Sequence, residues 1–405
     1  MESSQKKVGL KRSVGLWLLV FYGLGNILGA GIYVLIGKVS GEAGYFAPIA
    51  FMLAALVAAF TAFTYAELSS RYPVSAGEAV YLQEGFGWAW LSTMVGLLIA
   101  FAGMLSAATI VRGFSGYIQV FSDLPTSIVV IGVLFLLGLI AIWGISESVK
   151  VAAFLTGLEI FGLLLIIAVG SKQLSTLPEV ISTLPSLSEG YVWSGIFMGA
   201  FLAFYAFIGF EDMVNVAEEV KEPEKNMPRA ILIALIVSTL LYALVSLVAV
   251  VNLSPAELKA SAAPLADIYT SATGNKPVLI TFISIFAVIN GALIQIIMAA
   301  RVFYGMSRQG WIPAFFSRVS KRSQTPVIAT VFVVLVISLL AVWFPLQKLA
   351  EATSSLILII FFMVNIALLK IRKQQAPPEG VRTYPVWVPI IGAIGSLLLL
   401  MVKVL

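Results

Sequence analysis

The chain has 405 residues, of which 60% are hydrophobic by type and 11% are charged. Soluble domains run near ~25% charged and their cores stop growing at about 250–300 residues, so a water-soluble enzyme, a nucleic-acid binder and a disordered chain are excluded. The net charge is +5 with no cysteine and no histidine, which removes disulfides, thiolate nucleophiles, histidine metal sites and imidazole relays.

In chain order, Lys6, Lys7, Lys11 and Arg12 precede the first apolar run. No small-residue cleavage site leads into a hydrophilic chain there, so the run reads as a retained span and not as a signal peptide. A spanning helix needs about 20 apolar residues. Such runs lie near 14–38, 45–66, 86–111, 126–145, 149–170, 191–211, 229–252, 277–303, 326–344, 350–370 and 386–404, which predicts eleven spans. Alternating sides along this pattern puts 18 of the 25 Lys and Arg on the side of the N-terminus. The positive-inside rule then predicts a cytoplasmic N-terminus, an outside C-terminus and a multi-pass protein of the plasma (cell inner) membrane. No soluble domain is appended, so residues 1–405 read as a single transmembrane domain. The longest outside stretch, 253–276, carries Pro255 and Pro264 and predicts a short re-entrant or surface helix at 255–262.

Span 1 reads GLGNILGAGIYVLIG from Gly23 to Gly37. Its glycines suit either close helix packing or an unwound turn, and the second survives at mid-membrane only where it lines a cavity. Span 6 carries FIGFED, with Gly209 followed by Glu211 and Asp212. Acids at the end of a buried span are costly and mark function unless they already lie at the interface. Two Gly-interrupted spans, five apart, point to an inverted-repeat transporter with a midplane site. Half-helix amides suit a substrate carboxylate and half-helix carbonyls suit its ammonium.

Four segments carry a family resemblance: GNILGAGIY (Gly25–Tyr33), AELSSRYPVSAGEAVY (Ala66–Tyr81), FIGFEDMVNVAEEVKEPEKNMPRAI (Phe207–Ile231) and SRQGWIP (Ser307–Pro313). They resemble the amino acid–polyamine–organocation (APC) permease superfamily over nearly the whole chain. The resemblance implies an all-α polytopic fold of five-plus-five inverted repeats. Repeat one would cover about 14–170, repeat two about 191–370, and an extra span about 386–404. It implies alternating access around a site between spans 1, 3, 6 and 8, with no enzymatic chemistry, cofactor or metal. By motif, amides of Gly29, Ala30 and Gly31 would hold the carboxylate, and carbonyls of Tyr205, Ala206 and Ile208 the amine. Tyr205 falls where related antiporters have an aromatic gate. Ungapped counting puts Ser106 and Gln295 at pocket positions of spans 3 and 8, where packing is an equal alternative. Relatives usually have twelve spans, so the dimer contacts of twelve-span relatives do not transfer; a monomer or weak homodimer is expected.

Proton-coupled relatives often carry a lysine in span 5, at the position of Glu159 here. A charged carboxylate at that depth costs at least ~2.5–3.5 kcal/mol. Glu159 either loads a proton or makes one interhelical hydrogen bond. Sodium is disfavoured because residues 285–306 contain no Ser or Thr. Spans 3 and 8 supply no acid for a basic substrate side chain, which favours neutral amino acids, with cationic amino acids, polyamines or exchange as alternatives. Arg301 either pairs with Glu211 or Glu67 as an inner gate or snorkels to the interface. A sensor built on the same fold would have lost the GAG or FIGFE segment, and both are intact. An intramembrane enzyme would need a constellation that this composition lacks.

Overall fold

The computed structural model describes residues 12–29, 31–74, 77–143, 149–182, 184–186, 188–308, 310–320, 323 and 325–403. It is all-helical apart from one isolated bridge between Val14 and Val220. Span 1 is split into Leu16–Leu28 and Gly31–Ala43. Spans 2 to 5 are Ala47–Arg71, Ala89–Gln119, Thr126–Trp143 and Val149–Gly170. Span 6 comprises Gly190–Phe204, a 3-10 turn Tyr205–Phe207 and a 3-10 segment Glu211–Glu219. Spans 7 to 11 are Pro223–Asn252, Val278–Arg308, Val327–Trp343, Leu346–Gln374 and Trp387–Met401. Among the described residues, eight apolar stretches are long enough to cross a membrane, the first of them, Leu16–Arg71, holding both spans 1 and 2. Spans 9 and 11 are shorter apolar helices. This is the discontinuous-helix architecture that the spacing of the glycines implied.

Side-chain chemistry explains the packing. Large apolar residues such as Trp143, Phe135 and Leu335 are exposed on the outside of the bundle, while small and polar residues turn inward, as lipid-facing surfaces require. Span 3 packs along span 8, and span 2 along span 7. The 253–276 stretch forms two helices, Pro255–Ala260 and Pro264–Thr273, where one was expected. Ser254 and Glu257 make a capping box on the first, and Pro264 opens a second helix at its first turn, a position that tolerates a missing N–H. Gly37 meets the Leu258 carbonyl, where a β-carbon would stand 2.2 Å away. The two helices are thereby pressed onto the second half of span 1.

At the opposite end of the bundle, Glu67 of span 2 is fully buried and accepts from several donors. Arg71 Nη2 lies 2.9 Å from its Oε1, Arg372 of span 10 pairs with it as well, and the Tyr384 N–H donates at 3.2 Å. Tyr384 and Trp387 stack on Phe63 and Phe60 of span 2. Asn365 of span 10 bonds Thr61 and Thr64. Spans 2, 10 and 11 are thus fastened by buried polar contacts, which are retained in hydrocarbon only when satisfied.

Removing one partner of a buried ion cluster strands the others, at a cost of about 3–5 kcal/mol. Glu67→Ala is therefore expected to lower the thermal midpoint in detergent sharply, and Glu67→Gln, which keeps one acceptor, to lower it less. An unchanged midpoint in Glu67→Ala would contradict a fastening role for the cluster.

Candidate functional site

The two breaks lie against each other. A β-carbon on Gly31 would stand 2.3 Å from Ala206 Cα, and one on Gly209 would stand 2.7 Å from the Asn26 carbonyl carbon. Gly209 has φ +133°, which disfavours any side chain. Ile208 beside it is extended at φ −65°, ψ 132°. The missing side chains of Gly31 and Gly209 let spans 1 and 6 cross at backbone contact. Ala30, expected at the carboxylate end of the site, lies outside the described residues.

A tyrosine from span 7 closes the crossing. Tyr242 Oη lies 2.7 Å from Ile27 O and 2.9 Å from Ala206 O, so one hydroxyl proton serves carbonyls from both breaks. The Ala206 carbonyl, expected to take a substrate amine, accepts from Tyr242 in this conformation. The Tyr205 carbonyl likewise accepts the Ile208 N–H at 3.2 Å.

Beside the crossing is a small cavity. Gly31, Ser106, Tyr205, Ile208 and Gln295, from four different spans, all reach it. Tyr205 Oη and Ser106 Oγ lie 3.0 Å apart, which holds the ring across the cavity toward span 3. Asn26 also lines it, and both its amide oxygen and its amide nitrogen are buried with no hydrogen-bond partner. An unsatisfied buried amide is costly, so this one awaits a polar ligand. Ile27, Ile110 and Ile294 make the rest of the wall largely aliphatic.

A second cavity shares Ser106, Ile208 and Gln295 with the first and continues from it. Its other wall carries Glu78, Glu211 and Asp212. Glu211 Oε2 accepts the Gly209 N–H at 2.8 Å, Asp212 Oδ2 accepts from Gln295 Nε2 at 3.2 Å, and Glu78 Oε1 accepts from the Tyr65 hydroxyl at 3.2 Å. None of the three has an ion pair among the described residues. Glu78 stands on the helix Gly77–Phe86 between spans 2 and 3. Burial pushes its carboxyl up to about 7, with the nearby Asp212 charge acting the same way.

Glu159 lies apart from both cavities. It is buried at 1% exposure behind span 1, with Asn290 Nδ2 of span 8 at 3.5 Å from its Oε1. Arg301 is exposed on span 8 and makes no ion pair among the described residues. Glu67 is held by Arg71 and Arg372, and Glu211 by a backbone amide, and Arg301 pairs with neither acid in this conformation. Sequence reasoning missed Asn26, Tyr242, Glu78 and Asn290. Asn26 carried a signal, a lone amide between glycines in an apolar span. Tyr242 and Asn290 sit in ordinary helical runs, and only the fold brings them to the breaks.

A family model described as Amino acid permease matches residues 14–404. The branched-chain amino acid permease BcaP of Bacillus subtilis is 31% identical over 90% of this chain and 82% of its own length. The vacuolar cationic amino acid transporter 4 of Arabidopsis thaliana is 32% identical over 90% of this chain, which spans 63% of the plant protein. The methylthioribose transporter of Bacillus subtilis is 28% identical over 98% of this chain and 88% of its own length.

A methyl group at Gly31 would have to displace the Ala206 backbone, and overpacking of this kind costs about 1–3 kcal/mol. Gly31→Ala is expected to cut transport about tenfold or more at normal expression. Gly132→Ala, in a span 4 position with open space around it, is expected to transport like the parent, and equal uptake by the two variants would overturn the backbone-contact reading.

Proposed function

This chain belongs to the amino acid permease family, and from that premise we propose a proton-coupled carrier of neutral amino acids working by alternating access. The observation that carries the substrate reading is the crossing of spans 1 and 6. It sets an unpartnered Asn26 amide, the Ser106 and Tyr205 hydroxyls, Gln295 and four isoleucines around one cavity. A zwitterion needs an amide end for its carboxylate and a carbonyl end for its ammonium. The isoleucines then suit an aliphatic side chain, in keeping with the resemblance to a branched-chain permease.

In the proposed cycle the substrate ammonium takes over carbonyls now held by Tyr242 and by Ile208 N–H. That exchange frees spans 1 and 6 to hinge at Gly31 and Gly209. Gly31 supplies the carboxylate end, joined by Gly29 when its N–H leaves the Gly25 carbonyl that holds it at 3.1 Å in this conformation, and Ser106, Tyr205 and Gln295 close the side-chain end. Glu159 supplies the coupling charge from behind span 1. The N-terminus and the Glu67 cluster are assigned to the cytoplasmic side, where most of the basic residues fall.

The acid-lined second cavity favours another reading of the side chain. A cationic side chain entering past Gln295 would meet Glu78, Glu211 and Asp212. Those acids come from span 6 and from the helix after span 2, not from spans 3 and 8.

Counterflow in proteoliposomes decides between the two. Leucine, isoleucine, valine or alanine should exchange, with uptake stimulated by an inward proton gradient, and failure of every amino acid to compete would end the amino-acid reading. Glu159→Gln is expected to flatten the pH dependence of uptake, and normal transport at every pH would remove Glu159 from coupling. Glu78 releases its proton near pH 7, so its charge is present above that pH and lost below it. Its ionised fraction rises about tenfold between pH 6 and 8. If arginine or lysine uses the acid-lined cavity, its inhibition should strengthen over that interval and lose the dependence in Glu78→Gln. Inhibition by cations that ignores both changes would leave the neutral reading alone.

A further inference from the structure

Where span 10 ends, two lysines stand on one side of the helix with no acid to balance them. Lys370 and Lys373 are three residues apart in Leu346–Gln374, which makes them neighbours on the helix surface. Neither has an ion pair among the described residues. The other cation of that turn, Arg372, is taken by Glu67. Glu84, on the adjoining helix Gly77–Phe86, is exposed and accepts from Gln375 Nε2 at 3.3 Å. Two like charges at this spacing repel unless an anion lies between them.

Aromatic rings fix where the first of these charges lies. Gly85 lets the helix Gly77–Phe86 meet span 10 at its backbone, because a β-carbon there would stand 2.9 Å from Ala367 Cα. That contact, one turn before Lys370, brings the Phe86 ring under the ammonium. Lys370 Nζ lies 4.0 Å from the Phe86 ring centroid and 5.8 Å from that of Trp88. A ring face attracts a cation but supplies no charge to balance it. Trp88 and Trp90 stack at 5.9 Å where span 3 begins, and they are 52% and 61% exposed. Exposed tryptophans at the end of a span settle at the headgroup level of a bilayer. A lysine ordinarily snorkels past that level into water. This one is half-buried on the rings, at the depth of the lipid phosphates.

We propose that Lys370 and Lys373, with Trp88 beside them, form a seat for the phosphate of one anionic lipid of the phosphatidylglycerol kind. Its single negative charge relieves the repulsion between the two ammonium groups, and its acyl chains lie along the apolar side of the bundle. Juxtamembrane lysines attract such lipids individually, and two on one helix face attract the same headgroup. The seat spans the seam between span 10 and the short helix that carries Glu78 to the second cavity. An occupied seat therefore holds that wall of the cavity in place. The proposal depends on neither the substrate nor the coupling ion.

The test is thermal unfolding of the purified full chain in uncharged detergent, with phosphatidylglycerol or phosphatidylcholine of the same acyl chains added at matched ionic strength. Phosphatidylglycerol should raise the midpoint by about 2–4 °C over phosphatidylcholine. The gain is read within each variant, so any loss of the lysines' own packing cancels. It should fall by about half or more in Lys370→Gln and vanish when Lys370→Gln and Lys373→Gln are combined. It should persist in Lys370→Arg, which keeps the charge, and in Lys276→Gln, which alters an exposed lysine at the other end of the bundle. Equal midpoints in the two lipids, or a full gain in the double variant, overturn the seat. An equal gain from inorganic phosphate in place of phosphatidylglycerol overturns it as a lipid site.

Discussion

One hydroxyl group, that of Tyr242, holds the two broken helices together. A backbone carbonyl without a partner costs several kcal/mol in hydrocarbon. Spans 1 and 6 each expose such carbonyls at their breaks, and Tyr242 meets one from each. The tyrosine is fully buried, with its ring tilted against Phe51 and edge-on to Phe207. The crossing is therefore stable without ligand only while span 7 stays where it is. A ligand ammonium that replaced this hydroxyl would change what ties spans 1 and 6 to span 7. Binding and movement are linked through a single proton donor.

The charges follow the same logic of satisfaction. Glu67 is met by two guanidinium groups and an amide, and its cluster fastens spans 2, 10 and 11. Glu78, Glu211 and Asp212 have only neutral donors, and they face a cavity. Glu159 has less still, one amide nitrogen at the limit of hydrogen-bond distance. Buried acids that are fully paired hold structure, and buried acids that are not must meet a proton, a cation or a substrate. The low charged fraction of the chain thus divides into fasteners and receptors.

Much of this was legible in the sequence. The span 5 boundaries, 149–170, coincide with the helix Val149–Gly170, because a long uniform apolar run has sharp polar ends. Gly31 and Gly209 announced the breaks because glycine in mid-span has few other reasons to be there. The acids of the second cavity were not legible as a group. Glu78 lies more than 130 residues from Asp212, and no periodicity relates a short connecting helix to a broken span. The choice between the two readings of Arg301 was open for the same reason: its position along span 8 was plain, but its rotation about the helix axis was not. Tyr242 was invisible because its partners are backbone atoms, which leave no mark in composition.

A backbone connection also joins the start of span 1 to the end of span 6. Ser13 and Val14 donate to the Glu219 carbonyl, and the Lys221 N–H returns to Val14 O at 2.9 Å. Spans 1 and 6 are thus joined twice, at their crossing and at this bridge, and a segment joined at two points moves as one body. The contacts between this body and its neighbours are of different strength. Against span 7 it has the Tyr242 hydroxyl. Against spans 3 and 8 it has the Tyr205–Ser106 and Asp212–Gln295 contacts, each between uncharged or singly charged polar groups. The Glu67 ion cluster does not touch it. The strongest buried electrostatic contacts of the protein lie outside the pair of spans that carries the site. A motion that shifts that pair against spans 3, 7 and 8 therefore exchanges hydrogen bonds, which a substrate can replace, and leaves the expensive ion cluster intact.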